Sequence, residues 1–576
     1  MFATFMARVV PECSAIAALA VLVPFSLTAQ SSPTTKSLAI QANSNRTPGG
    51  KIERGVLTLH LELREGDWYP EADAGPSMRV DAFGEEGQPL HVPGPLIRVP
   101  QGTEIHVTLR NLLSAAAVVH GMHQHPGEGS DPVQVPTGEV RELRFSAGLP
   151  GTYQYWASAG EDLKGRHPYR EDSQLSGAFI VDPPGTVEAD RVFVIGLWRS
   201  QINEVLSQDV SVINGKSWPY TERLTYAAGE PVRWRWINAS DSVHPLHLHG
   251  SYYRVDSEGD GEHDLIFEAA QRRMVVTHVL LPGTTMSTLW IPVAGRWIFH
   301  CHLIAHFQPE MTVANALVAQ PERVHEHSSN HMAGLVLGIT VMGKRPTLAS
   351  RGRTRKLRLL VRERPARDGL PQGFGYQLEE SHKLGSQEVT APGPPVILER
   401  GRPVEITIVN QLQEPTAVHW HGIELESYYD GVVGWGTDGR KITPAIEPGG
   451  SFRVRFTPPR AGTFIYHTHL NDEVQLGSGL YGPLIVLEPG AQFDTANDHI
   501  FIFSRGGADD MKAPRLLNGS AHDPPTLYWH KGQSNRLRLI DITPNNPALF
   551  SLMGPAGLMR WRAVAKDGAD LPRTRR

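Results

Sequence analysis

Cysteine is scarce in this chain, since its 576 residues include only two cysteines, Cys13 and Cys301. Cys13 lies in an N-terminal segment that we predict to be removed on export, so Cys301 is left without a partner for an intrachain disulfide. A single thiol in an oxidising compartment is a liability unless something occupies it. The scarcity of cysteine therefore excludes a disulfide scaffold and indicates a bound metal ion at Cys301.

The chain also lacks an excess of positive charge and lacks long amphipathic helical patterns. Its formal net charge is -5 at pH 7, whereas a surface that binds phosphates needs a basic excess, so we exclude nucleic acid as a partner. Apolar and polar residues alternate at 104–109, 404–409 and 451–456, which is the period of half-buried strands. With 45 prolines and 56 glycines available for turns, the composition predicts an all-β protein.

The first 29 residues are predicted to be a signal peptide. Arg8 supplies a positive charge, residues 15–27 form an apolar run, and Ala29 ends a small-residue cleavage site. The run is short for a transmembrane helix, which needs about 20 apolar residues. We therefore expect export to the periplasm or the cell exterior, with no stable membrane span after signal removal. A membrane anchor is the alternative.

Two kinds of segment each occur twice, in the order A, B, A′, B′. The A segment places Pro-Gly-Pro before an alternating strand that ends in Asn, at 93–111 and again at 392–410. The B segment combines an apolar strand, Asn-Gly and a second alternating strand, at 192–238 and again at 500–540. We predict domains at 50–187, 188–319, 356–490 and 491–576, the last apparently truncated, and a linker at 320–355 whose apolar run, 334–341, forms an added strand.

Four clusters of histidine carry the chemistry. They are His244-Pro-Leu-His247-Leu-His249, His300-Cys301-His302 with His306 and Met311, His419-Trp-His421-Gly, and Tyr-His467-Thr-His469. On a strand, a His-x-His pair places both imidazoles on one face, about 7 Å apart. The same alternation turns Cys301 away from its two neighbours, so metal ions could lie on both faces of that strand.

A thiolate, two imidazoles and a distant thioether make the ligand set of a blue-copper centre. Cys301, His244, His306 and an axial Met311 supply that set. The eight remaining histidines are nitrogen donors that suit copper. They are His247, His249, His300, His302, His419, His421, His467 and His469.

With these four motifs the chain resembles the multicopper oxidases, a family that includes the laccases. The resemblance implies tandem cupredoxin-like Greek-key β-sandwich domains and four copper ions. It assigns the type 1 copper to His244, Cys301, His306 and Met311, and the type 2 copper to His247 and His419. The type 3 pair is assigned to His249, His300, His302, His421, His467 and His469. Asp430 resembles an acid that assists proton delivery, although an Asp-Gly turn is an equal interpretation.

The resemblance also implies an activity. A small reducing substrate (a phenol, an aromatic amine or a metal ion) loses single electrons at the type 1 copper, and dioxygen is reduced to water at the three-copper cluster. A methionine axial ligand predicts a modest oxidant. The alternatives are an enzyme like copper nitrite reductase, which needs no type 3 pair, and a non-catalytic copper-binding or copper-tolerance protein. The sequence does not assign an oligomeric state.

The order of the motifs departs from the family, because the type 1 domain precedes the domain with His419. We expect one cluster between the second and third domains. The first and fourth domains are expected to hold no cluster ligand. In the first domain His120 matches His419, but the other histidines of the motifs are replaced by Met122, Trp156 and Ser158. In the fourth domain the positions of His244, His247 and His249 are occupied by Pro547, Phe550 and Leu552.

Other histidines and acids leave alternatives open. His120, His123 and His125 could bind a metal or form a degenerate loop, and the linker histidines, His325, His327 and His331, are solvated or bind accessory copper. Some relatives carry an acid directly after the last type 1 histidine, where this chain has Phe307. A proton route must then run elsewhere, through Asp472 or Glu473.

Overall fold

The computed structural model describes most of the chain after the predicted signal peptide. The described residues are 38–73, 75–127, 132–160, 174–185, 189–201, 207–308, 332–345, 349–366, 370–380, 388–437, 441–507, 513–522, 526–543, 548–549 and 551–572. Met311, the linker histidines, Pro547, Phe550 and the signal peptide lie outside them. Within the described part, no helix has both the length and the apolar character to cross a membrane.

The first repeat consists of a seven-stranded and a five-stranded sheet around one apolar core. Its strands, β1 to β12, are Ala39–Ala42, Lys51–Glu53, Val56–Trp68, Met78–Glu85, Leu90–Val92, Ile97–Pro100, Glu104–Asn111, Ala117–His120, Val133–Val135, Val140–Ser146, Gly151–Ala159 and Ser176–Asp182. In β7 the apolar residues at every second position are buried in the core, as the alternation predicts. β1 pairs with β3 and β5, so this domain begins before residue 50.

The second repeat has the same design, with sheets of seven and five strands. Strands β13 to β24 are Arg191–Gln201, Ser207–Ile213, Arg223–Ala227, Val232–Asn238, His244–Leu248, Tyr253–Gly259, Asp264–Ile266, Arg273–Val275, Thr277–Leu280, Thr285–Trp290, Gly295–Cys301 and Val336–Met342, and a short helix α1 is Ile304–Phe307. β24 is the predicted added strand. It lies between β15 and β23 in the five-stranded sheet, so the predicted linker contains a strand of this domain.

The third repeat is smaller, with two four-stranded sheets. Strands β25 to β32 are Arg355–Arg364, Gly373–Glu380, Val396–Glu399, Val404–Asn410, Val418–His421, Ser451–Phe456, Gly462–Thr468 and Tyr481–Leu487; a 3-10 helix is Ser427–Tyr429 and helix α2 is Asp472–Gly477. Its core is again a single cluster drawn from both sheets. These three repeats are cupredoxin-like β-sandwiches, because successive strands cross repeatedly between two sheets.

The C-terminal segment forms one three-stranded sheet and two short hairpins. Strands β33 to β39 are Asp498–Arg505, Arg515–Leu517, Arg536–Asp541, Met553–Gly554, Gly557–Leu558, Ala565–Lys566 and Ala569–Asp570. Ile502 and Ile540 pack into a cluster with Ile298 and Trp435 of the second and third repeats. The apolar residues of this sheet are therefore buried against neighbouring repeats.

Candidate metal centre

The register of two neighbouring strands sets the geometry around Cys301. β17 and β23 pair antiparallel, with Leu246 opposite Cys301 and His247 opposite His300. Since side chains alternate between the faces of a sheet, His247 and His300 share one face, while Cys301 lies with Leu246 in the apolar core. The predicted division of Cys301 from its neighbouring histidines is present in the structure.

Cys301 and two histidines meet at this inner face. The Sγ atom lies 3.6 Å from His244 Nδ1 and 3.5 Å from His306 Nδ1, and the two Nδ1 atoms are 3.1 Å apart. All three side chains are buried. β17 begins with His244, and α1 supplies His306. Three of the four predicted type 1 ligands therefore come together, while Met311 lies outside the described residues.

A hydrogen bond orients the His244 ring. The hydroxyl of Ser240 donates to Asn238 Oδ1 at 2.7 Å and accepts from His244 Nε2 at 2.8 Å. A neutral imidazole with its proton on Nε2 presents the Nδ1 lone pair toward Cys301. No motif in the sequence marked Ser240, because its role depends on the turn between β16 and β17.

Burial makes the three groups neutral until a cation is present. It raises the pKa of the Cys301 thiol to about 12 and lowers the pKa of His306 to about 4. Burial and the neighbouring His306 hold the pKa of His244 well below its usual value. Neutral imidazoles are ready ligands, and a metal ion stabilises the thiolate that burial disfavours. These donors therefore fit a metal ion.

Eight histidines converge between the second and third repeats. β29 and β31 pair with His419 opposite His467, as β17 and β23 do with His247 opposite His300. The two sets interleave: ring centroids are 3.9 Å apart for His247 and His421, and 4.1 Å apart for His249 and His419. The inverted motif order therefore still brings the predicted residues together.

The donor atoms form compact groups. The ligand atoms of His302, His421 and His467 lie within 4.8 Å of one another, as do those of His247, His419 and His421. A further group joins His249 Nε2 and His300 Nε2 at 3.0 Å. His247 completes that group by donor distance, and the His469 ring is centred 5.1 Å from His249 and 5.7 Å from His300.

The outer nitrogens of these rings are held by hydrogen bonds. Three Nδ1 atoms donate to backbone carbonyls: His247 to Val276 at 3.0 Å, His300 to Cys301 at 2.7 Å and His467 to Thr468 at 2.5 Å. Their Nε2 lone pairs then face the interior of the cluster. Among the described residues, Nε2 of His247, His419 and His467 has no hydrogen-bond partner. Buried unpaired nitrogens are costly unless a ligand occupies them, so the cluster fits metal ions.

Thr277 is a contact that sequence reasoning missed. Its Oγ1 lies 3.1 Å from His247 Nδ1 and 3.2 Å from His421 Nε2, so one hydroxyl contacts histidines of both repeats. It is the first residue of β21 and belongs to no histidine motif. Only the pairing of β21 with β17 places it beside the cluster.

Asp430 forms the predicted Asp-Gly turn and also contacts the histidine cluster. Its carboxylate accepts from His249 Nδ1 at 2.7 Å, and its backbone oxygen accepts from His419 Nδ1 at 2.7 Å. The residue also forms a turn, because Gly431 has φ +88° and a Cβ there would lie 2.1 Å from the Val418 oxygen. The turn thus carries the acid into contact with histidines of both repeats.

A second acid lies near the cluster. Asp472, the first residue of α2, lines a cavity with Phe307, His300 and His469. Burial raises the pKa of this carboxyl well above its usual value, and its Oδ1 has no hydrogen-bond partner in the described part of the chain. The neighbouring Glu473 is exposed.

The counterpart positions of the first repeat make contacts of their own. His120 is paired opposite Trp156 and stacks on its ring at 3.7 Å, while Met122 and Ser158 are buried. Leu552 lies just before the short strand β36. His123 and His125 contact each other and Glu262 rather than the cluster.

Comparisons with known proteins agree with this geometry. Two different family models, each described as multicopper oxidase, match the chain, one at residues 195–319 and the other at 379–491. Multicopper oxidase MmcO of Mycobacterium tuberculosis is 34% identical over 140 residues, which cover 24% of this chain and 26% of that protein. A copper resistance protein A homolog of Pseudomonas syringae pv. tomato is 36% identical over 207 residues, 31% of this chain and 33% of that protein. The matches thus span about a quarter to a third of these relatives.

The solved structures that resemble the chain do so distantly. The blue copper oxidase of Nitrosomonas europaea has a TM-score of 0.38 and 19% identity, and the match covers 49% of this chain and 85% of that one.

Proposed function

Because this chain belongs to the multicopper oxidase family, we propose that it is an exported oxidase that transfers electrons from a small reducing substrate to dioxygen. The convergence of eight imidazoles from two repeats, beside a buried group of one cysteine and two histidines, carries this proposal. When bound, copper supplies one-electron acceptance at Cys301 and four-electron reduction of dioxygen to water at the histidine cluster. Phenols, aromatic amines and metal ions are the proposed substrates.

We assign the ligands by position. His244, Cys301, His306 and Met311 hold the type 1 copper, and His247 and His419 hold the type 2 copper. Donor proximity supports one triad of type 3 ligands, His302, His421 and His467. The second triad, His249, His300 and His469, is supported by one donor distance and by the proximity of the His469 ring. Each triad draws on both repeats, so neither domain alone holds the pair.

The chain itself offers a short electron route between the two sites. His300 and His302 flank Cys301 directly, and His300 Nδ1 donates a hydrogen bond to the Cys301 carbonyl at 2.7 Å. An electron that enters at Sγ therefore has a backbone path and a hydrogen-bonded path to His300. The apolar core around Cys301 excludes water from this route.

Spectroscopy and oxygen uptake test the proposal together. Copper-loaded protein is expected to absorb strongly at about 600 nm, as copper-thiolate centres do, and to show a separate type 2 signal in electron paramagnetic resonance. Oxygen uptake should follow the addition of a phenolic substrate. Copper binding without turnover would instead identify a copper-binding protein, and nitrite reduction without oxygen uptake would identify an enzyme like nitrite reductase.

Asp430 orients His249 and His419, so Asp430→Asn should impair oxygen reduction without altering electron entry. Contacts behind metal ligands typically contribute 10- to 100-fold in activity or metal affinity, and we expect a loss in that range. The absorbance at about 600 nm should persist while the type 2 resonance shifts. Glu426→Gln, on the same loop but paired with Thr437 and Lys441, is the matched control. An unchanged resonance and rate in Asp430→Asn would contradict the assignment.

Asp472 is proposed to deliver protons to the cluster. This chain has Phe307 at the position where some relatives carry an acid, and Asp472 would take over the role of that acid. Its raised pKa keeps the carboxyl protonated above the usual range, so it can donate a proton that Asn cannot. Asp472→Asn should lower oxygen uptake by about 100-fold or more, the usual contribution of a positioned acid, and should remove the pH dependence that the carboxyl imposes. Glu473→Gln changes an exposed neighbouring acid and should retain full turnover. Equal rates in both variants would exclude Asp472 from the route.

A further inference from the structure

A second group of potential metal ligands lies away from the histidine cluster, where the first repeat meets the second. His123 and His125 belong to the loop after β8, and Glu262 lies in the turn between β18 and β19. His123 Nε2 is 3.0 Å from Glu262 Oε2, and His125 Nδ1 is 3.3 Å from the same oxygen. The His125 side chain is fully buried, while that of Glu262 is 40% exposed.

The tautomers of His123 and His125 follow from the ring nitrogens that face away from Glu262. His123 Nδ1 lies 3.0 Å from the Gln124 carbonyl oxygen, and His125 Nε2 lies 3.1 Å from the Gly121 carbonyl oxygen. A carbonyl only accepts, so each of these nitrogens carries the proton. In a neutral imidazole the other nitrogen then presents a lone pair, and both lone pairs face one carboxylate oxygen.

These three groups together need one positive charge between them, which either a proton or a metal ion supplies. His125 Nδ1 and Glu262 Oε2 are buried atoms that make no hydrogen bond within the described residues. Burial raises the pKa of Glu262, but hydrogen bonds that protonated His123 and His125 donate lower it further, to about 2, so the carboxylate is anionic. The same contact raises the pKa of His123, so a proton on His123 takes the place of the metal ion when none is bound. A histidine that donates one ring N–H to a backbone carbonyl and directs the other nitrogen inward has the usual arrangement of a metal ligand.

The spacing and the donor set match a zinc-type ion. Bonds of 2.0–2.2 Å in a tetrahedral site place neighbouring ligand atoms about 3.3 Å apart, close to the two distances observed here. Two histidines and one glutamate form a known zinc ligand set that leaves one position open, and the exposed side of Glu262 gives solvent access to it.

We propose that His123, His125 and Glu262 bind a divalent transition-metal ion of the zinc type, which links the first repeat to the second. The ion takes no part in the proposed oxidation, since the three residues contact neither Cys301 nor the histidine cluster in the described structure. Its role is structural, because its ligands come from two domains that each fold around a separate core.

Metal counting on the copper-loaded, full-length protein tests the site. After dialysis against Zn²⁺, the sum of zinc and copper per chain is measured for the wild type, Glu262→Gln and His123→Ala. We expect both variants to bind one ion fewer than the wild type and to keep the absorbance at about 600 nm, which reports the separate Cys301 site. Zn²⁺ should also raise the melting temperature of the wild type more than that of either variant.

A control variant separates the site from an ordinary histidine-carboxylate pair. His106 lies 2.6 Å from Glu104 and is paired opposite Thr58 on the neighbouring strand, so His106→Ala should bind as many ions as the wild type. An equal metal sum in the wild type, Glu262→Gln and His123→Ala would overturn the proposal. His123 is partly exposed, so its variant remains informative if Glu262→Gln fails to fold. Because the site is separate, loss of oxidase activity alone does not bear on it.

Discussion

Cys301→Ser is expected to abolish the absorbance at about 600 nm and to reduce substrate oxidation by more than about 100-fold, since even contacts behind a ligand contribute 10- to 100-fold. Serine keeps the size of the side chain but offers a hydroxyl that does not ionise in this apolar core. His244 and His306 remain, yet two imidazoles without the thiolate lose both the charge-transfer band and the direct link to His300. Electron entry, rather than oxygen binding, should be the step that fails.

The remaining metal distinguishes this result from unfolding. The histidine cluster lies beside the face of β23 that is opposite to the Cys301 side chain. Cys301→Ser should therefore keep the type 2 resonance and lose one copper per chain. Single-turnover oxygen reduction by chemically reduced protein should also persist. Loss of the type 2 resonance together with the blue band would show that the substitution disrupts both faces, and full retention of the blue band would remove Cys301 from the proposed type 1 site.

The double variant His419→Ala and His421→Ala should have the opposite effect. Both histidines come from the third repeat and contact ligands of the second, with ring centroids 4.1 Å apart for His419 and His249, and 3.9 Å apart for His421 and His247. Their removal should empty the cluster and lower the rate of oxygen uptake by more than about 100-fold, because even residues that only contact a metal ligand contribute 10- to 100-fold. The blue band should remain, and substrate should bleach it without recovery in air.

His120→Ala is the matched control for this variant. His120 occupies the same position of the repeat as His419, but it stacks on Trp156 at 3.7 Å and lies away from the cluster. The control should keep its copper content and its oxygen uptake. If the double variant still reduced oxygen, or if it lost the blue band as well, a cluster shared between the second and third repeats would be wrong.

The alternating strands and the histidine motifs were predictable because both depend on neighbouring residues. Period-two alternation decides which side chains of β7 and β28 are buried, and His-x-His spacing decides that His419 and His421 share a face. The same local rule separates Cys301 from His300. The resemblance to the multicopper oxidases followed from those motifs, and two multicopper oxidase family models match the chain.

Contacts between distant segments were harder to predict from the sequence. Thr277 and Glu262 carry no motif, and each gains its role from a residue on another strand or in another repeat. Ser240 also carries no motif, and it contacts His244 only through the turn between two strands. The placement of β24 within the sheet of the second repeat was likewise hidden, because a strand's partners are chosen by the packing of the whole sheet.

The sequence alone therefore determined the strand pattern, the repeat order and the spacing of the candidate donors in each histidine motif, because these depend on spacing along one chain. Only the tertiary structure decided which histidines of the second and third repeats contact each other, that Asp430 contacts both repeats, and that His123 and His125 meet Glu262. The physical reason is that these groups are far apart along the chain, and sheet pairing with domain packing sets the distances between them.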